Sequence, residues 1–95
     1  MRAYELVTLI SPELDGERML VVTSKIRESI SGQGGVVEEM NQWGRRKLAY
    51  PVEKFMEANY LLARFKLEPK SLKELETTLK GMGDVLRYLV VRMDN

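Results

Sequence analysis

The stretch richest in chemistry is Gly44-Arg45-Arg46-Lys47, set between Trp43 and Tyr50. Three consecutive cations in an extended chain alternate sides, so they can reach along an anionic groove or bracket one phosphate. Arginine presents a planar fork that matches phosphate oxygens two at a time. Aromatic rings beside such cations can stack on nucleic-acid bases. A basic triplet equally suits an edge strand, where cations discourage pairing between sheets, so spacing alone leaves both readings open. Arg2, Arg87 and Arg92 add to the same field if the first and last strands are neighbours. Trp43 is expected to anchor a bend by packing.

Catalytic chemistry finds little to work with. The 95 residues include no cysteine and no histidine, which removes thiolate nucleophiles, imidazole acid–base catalysis, disulfides and Cys/His zinc sites. Glu38 and Glu39 are adjacent in an extended segment and point to opposite faces, so they do not form an acid–base pair. Gly32, Gly34 and Gly35 follow a helix instead of opening one, and so lack the amide nest that grips phosphate. No catalytic residue, metal site or cofactor is expected.

Fifteen Lys and Arg against fourteen Asp and Glu leave a net charge of +1. Any binding of a polyanion must therefore come from local clusters and not from the charge of the whole chain. With 44% hydrophobic and 31% charged residues, the composition is that of an ordinary globular domain, and the length predicts a single one over residues 1–95. No apolar run approaches the roughly 20 residues that span a bilayer, and no signal-peptide pattern is visible at the start.

The elements that must position the cations follow from periodicity. Residues 2–10 read as a strand, ended by Ser11-Pro12. Asp15 is the expected N-cap of a helix, with Leu14 and Met19 spaced as a hydrophobic staple. Met19, Val22, Ile26 and Ile30 form its apolar stripe, and the glycines at 32, 34 and 35 stop it. Residues 36–48 read as a second strand, bent or bulged at Trp43-Gly44. Tyr50-Pro51 is expected to open a loop reaching Ala58, before a third strand over residues 59–67. Ser71 and Glu74 have capping-box spacing ahead of a second helix whose stripe is Leu72, Leu75, Leu79 and Met82. A last strand spans residues 85–93. The predicted fold class is α+β: a ferredoxin-like β-α-β-β-α-β sandwich, with a four-stranded antiparallel sheet and both helices on one face.

Helices on one side leave the other side of the sheet bare, and that side should be polar. The first and last strands break this expectation. Leu6 and Ile10 oppose Val7 and Leu9, and Tyr88 and Val90 oppose Leu89 and Val91; the polar Thr8 falls in the row expected to face inward. A bare face carrying Val7, Leu9, Tyr60, Leu62, Leu89 and Val91 marks an interaction surface.

Three segments together resemble a known family: Met1-Arg2-Ala3-Tyr4-Glu5, then Trp43-Gly44-Arg45-Arg46-Lys47-Leu48-Ala49-Tyr50-Pro51, then residues 84–92. They resemble ribosomal protein six of the bacterial small subunit, over essentially the whole chain. The resemblance implies a non-enzymatic, cytoplasmic structural constituent of the small ribosomal subunit. It implies pairing with ribosomal protein eighteen as a heterodimer that binds the central domain of the small-subunit (16S) ribosomal RNA. Carried over by position, Arg2, Arg45, Arg46, Lys47, Tyr50, Arg87 and Arg92 become the RNA candidates. Val7, Leu9, Tyr60, Leu62, Leu89 and Val91 become the protein-partner face. Many members carry a polar C-terminal extension, whereas this sequence stops at Asp94-Asn95, directly after the last strand.

Two other functions are compatible with parts of the pattern. A homodimeric ferredoxin-like module that binds a small molecule would also use an apolar sheet face. An acylphosphatase-like hydrolase would need a glycine-rich anion loop after the first strand, where this chain has the acidic Ser11-Pro12-Glu13-Leu14-Asp15.

Overall fold

A computed structural model describes residues 1–93; Asp94 and Asn95, the departure at the C-terminus, lie outside the described residues. The element order is β1 (Arg2–Ile10), α1 (Gly16–Ser31), β2 (Val36–Val52), β3 (Phe55–Leu67), α2 (Leu72–Lys80) and β4 (Val85–Arg92), with a 3-10 turn at Pro69–Ser71. All pairings are antiparallel, and the strand order is β2-β3-β1-β4. This is the ferredoxin-like arrangement predicted above, with β1 and β3 at the centre and β4 beside β1.

The core forms where sequence periods meet. Tyr4, Leu6, Thr8 and Ile10 of β1 are buried in alternation, as are Leu61, Ala63, Phe65 and Leu67 of β3. Against them α1 buries Met19, Val22, Ile26 and Ile30, and α2 buries Leu75 and Leu79. Asp15 caps α1 as expected, its carboxylate accepting from the Arg18 amide at 2.8 Å. Gly34 takes the left-handed conformation that ends the helix, with φ +83°. At Gly35 a Cβ would lie 2.8 Å from both Ile30 Cγ2 and the Lys66 carbonyl oxygen, so the chain returns to the sheet where only hydrogen fits.

One buried group is badly matched to this core. The Thr8 hydroxyl is enclosed and has no hydrogen-bond partner among the described residues, and an orphaned buried hydroxyl costs about 1–3 kcal/mol. Thr8→Val keeps the branched shape and removes the orphan. It is expected to raise the free energy of unfolding by about 1 kcal/mol, read as a higher denaturant midpoint with unchanged slope. A lower midpoint would show that the hydroxyl is satisfied.

Two local expectations need correction. The predicted loop from Tyr50 to Ala58 is not a loop. β2 continues through Tyr50-Pro51 to Val52, Val52 pairs with Phe55, and only Glu53 and Lys54 turn the chain. Both have positive φ, 47° and 74°, as a tight two-residue hairpin turn of the primed type requires. The capping box at Ser71 does not form either. Pro69–Ser71 winds as a 3-10 turn, which puts Ser71 in helical conformation with no side-chain cap.

The β2–β3 hairpin is the element that carries the cations. Its pairing shifts register after Val37, after Gln42 and after Lys47, each time with the extra residue or residues in β2. Bulges of this kind bend a strand and strengthen its twist. Because β1 stops at Ile10, opposite Asn59, the hairpin overhangs that end of the sheet. There it curls across to the start of β4: Glu53 lines a groove with Leu79, Lys80 and residues 85–88. Val52 and Ala58 are both buried within this arm.

Candidate nucleic-acid and protein interface

Arg45, Arg46 and Lys47 lie on an edge strand, and all three side chains are exposed. Strand alternation and register sort them. Arg45 is opposite Asn59 on the helix side, Arg46 opposite Ala58 on the bare side, and Lys47 opposite Glu57 on the helix side. The Arg45 guanidinium donates to the Pro12 carbonyl at 2.6 Å, and Asn59 donates to the Ser11 carbonyl at 2.9 Å. Two bonds therefore tie the hairpin to the turn after β1. The Arg46 guanidinium sits over the Trp43 ring, 5.7 Å from its centroid. Among the described residues none of the three enters an ion pair with the chain's own carboxylates.

Trp43 does not pack into the bend as expected; it is 46% exposed. It is the extra residue of the bulge, and Gly44 beside it has φ +81°. A bulged residue has no cross-strand partner, so ordinary alternation does not assign it a face.

Tyr50, 59% exposed, lies on the overhanging arm. Its hydroxyl accepts a hydrogen bond from Arg87 of β4 at 3.2 Å, and the same guanidinium lies 6.0 Å from the ring centroid. Arg87 and Tyr50 thus latch the hairpin to the far edge of the sheet, at the end that also holds Arg45, Arg46 and Lys47. Arg2 and Arg92 lie elsewhere. Arg92 is opposite Tyr4, and Arg2 is two residues before Tyr4, so both belong to the helix-facing row at the opposite end of the sheet. The seven RNA candidates from sequence therefore form two groups, separated by the roughly 27 Å length of β1.

The bare face divides in the same direction. At one end Arg64 bridges its neighbours, donating to Glu5 at 2.9 Å and reaching Glu39 at 3.4 Å. The hydrogen bond to Glu5, then the charge of Glu39, raises the guanidinium pKa above its ordinary value. Arg64 therefore stays charged at any working pH. At the other end Val7, Leu9, Tyr60 and Leu89 line an open depression of about 340 Å³, with Arg87 and Tyr88 at its border. Leu89 is 61% exposed, and Val91 is exposed beside it. Leu62 lies in the same row but is only 5% exposed. It is on a central strand, opposite both Val7 and Asn41 and between Tyr60 and Arg64 along the chain. It therefore forms the floor of the face, and its neighbours the accessible surface.

No group of three or more His, Cys, Asp or Glu side chains suited to a metal occurs among the described residues. No described helix is long and apolar enough to cross a membrane.

A sequence model for the family described as ribosomal protein S6 matches residues 3–92. The chain belongs to the ribosomal protein S6 family. Small ribosomal subunit protein bS6 of Moorella thermoacetica is 43% identical over 94 residues, covering 99% of this chain and 96% of that protein. The bS6 protein of Heliobacterium modesticaldum is 45% identical, covering 99% and 98%. These relatives are named as ribosomal proteins, not enzymes, and are themselves of about this length. The crystal structure of 30S ribosomal protein S6 from Thermotoga maritima superimposes with a TM-score of 0.92 at 26% identity, covering 97% of this chain and 87% of that one. The C-terminal domain of the MgtC protein from Mycobacterium tuberculosis, at 12% identity and a TM-score of 0.68, shares the fold alone.

Proposed function

We propose that this ribosomal protein S6 family member works in the small ribosomal subunit as one half of a heterodimer with ribosomal protein eighteen. The partner covers the depression formed by Val7, Leu9, Tyr60 and Leu89 together with Val91. The hairpin cations beside it hold the backbone of the central domain of the small-subunit ribosomal RNA. The observation that supports this reading is proximity. The exposed apolar face and the cluster of Arg45, Arg46, Lys47 and Arg87 share one end of the sheet, so two different partners can be held side by side. The role is structural and involves no catalysis.

The +1 net charge predicts weak RNA binding by the chain alone and much tighter binding once a basic partner adds its charge. Titrating a central-domain RNA fragment at several salt concentrations, with and without ribosomal protein eighteen, tests this. Each phosphate contact contributes about −0.9 (duplex) or −0.7 (single strand) to the slope of log K against log salt. A slope near zero, or tight binding by the lone chain to any sequence, contradicts the proposal. A stable homodimer with no RNA affinity would instead favour a self-pairing, small-molecule-binding module.

A further inference from the structure

The hairpin presents two arginine–aromatic pairs, and they differ in what they leave free. In the Arg87–Tyr50 pair the guanidinium also donates to the phenol, so the pair spends its polar contact inside the protein as a latch. In the Arg46–Trp43 pair the guanidinium carbon lies over the indole ring, 5.7 Å from its centroid, and the indole offers it no hydrogen-bond acceptor. The N–H groups of Arg46 have no acceptor among the described residues, so those donors are left for an anion. Trp43 is the chain's single tryptophan. The bulge lifts it out of the strand's alternation, with Gly44 beside it at positive φ. A half-exposed indole held by a cation, next to Arg45 and Lys47, is a surface built for a flat, anionic occupant.

We propose that Trp43 and Arg46 receive one unpaired RNA base, the indole stacking on the base and the guanidinium holding its phosphate. This rests on the RNA-binding function above and deepens it. A base inside a duplex offers no free face, so the occupant is a nucleotide in a loop, a bulge or a single strand. With Arg46 over one face of the half-exposed indole, the base takes the opposite one. Arg45, bound to the Pro12 carbonyl, positions the strand that carries the pair.

The test compares two fluorescein-labelled probes of equal length at low salt: oligouridylate, and the same ribose-phosphate backbone without bases. Anisotropy reports binding to the full-length chain, and the emission of Trp43 is followed with unlabelled copies. Oligouridylate is expected to bind at least about fivefold tighter than the abasic probe, since one stacked base is worth this much or more, and to quench the tryptophan. Trp43→Ala should abolish the preference, and Trp43→Phe should retain part of it. Equal affinities with unquenched emission, or a preference that survives Trp43→Ala, would overturn the stacking role while leaving charge-borne RNA binding in place. Failure of both probes to bind would overturn this inference, while the RNA-binding function is judged separately by the titration with ribosomal protein eighteen present.

Discussion

Replacing Leu89 with Asp is expected to weaken binding of ribosomal protein eighteen by about 30-fold or more, roughly 2 kcal/mol, the scale of a central interface residue. The effect has two sources. The leucine's apolar area no longer leaves water on association, and a carboxylate must be desolvated against an apolar partner surface. The isolated chain should tolerate the change, because Leu89 is 61% exposed on the edge strand β4. Only the modest strand preference of the residue is lost there, at most about 1 kcal/mol. Leu20→Asp is the matched control: Leu20 is also 61% exposed, but it lies on α1. Calorimetric titration of both variants reads the difference. Equal affinities would remove the sheet face from the interface.

The second large effect is electrostatic. Reversing two cations with Arg46→Glu and Lys47→Glu should make the heterodimer's salt dependence shallower by about 1.5, close to one contact per residue. RNA affinity should fall most steeply at low salt, where charge contacts are least screened. Lys70→Glu with Lys73→Glu makes the same change in net charge near the start of α2, where both lysines are exposed. That pair should leave the slope nearly unchanged. If the two pairs act alike, RNA responds to net charge alone and the hairpin has no special place.

Much of the fold was legible in residues because local and tertiary preferences agree. Asp15 caps where its side chain can reach an amide, both helical stripes face the core, and Gly44 marks the bulge. The misses share a cause: backbone geometry decided by tertiary contacts. The hairpin turn needs positive φ at two positions, and Glu53-Lys54 has none of the Asn-Gly chemistry that announces such a turn. The long arm made by this turn is held by contacts remote in sequence, Tyr50 with Arg87 and Arg45 with Pro12. Ser71 could not act as a cap because Pro69 starts a 3-10 turn that takes it into helical conformation.

The candidate site was legible by parity but not by depth or position along the sheet. Alternation placed Val7, Leu9, Tyr60, Leu62, Leu89 and Val91 in rows that do face away from the helices. It could not show that Leu62 is sealed by a central strand's neighbours. The expected packing of Trp43 at the bend fails because the bulge leaves it without a cross-strand partner, half exposed. Adjacency of β1 and β4 does not by itself bring Arg2 and Arg92 to Arg87, because the antiparallel register sets Arg2 and Arg92 at one end of the sheet and Arg87 at the other.

In the proposed heterodimer, the sheet face left bare by α1 and α2 is the seat of a second polypeptide. Amide NMR spectra of the isotopically labelled chain, titrated with unlabelled ribosomal protein eighteen, address it residue by residue. Shifts are expected to gather at Val7, Leu9, Leu62, Leu89 and Val91, with Leu20 and Val21 of α1 unmoved. Shifts gathered at Leu20 and Val21, with the sheet face silent, would contradict it.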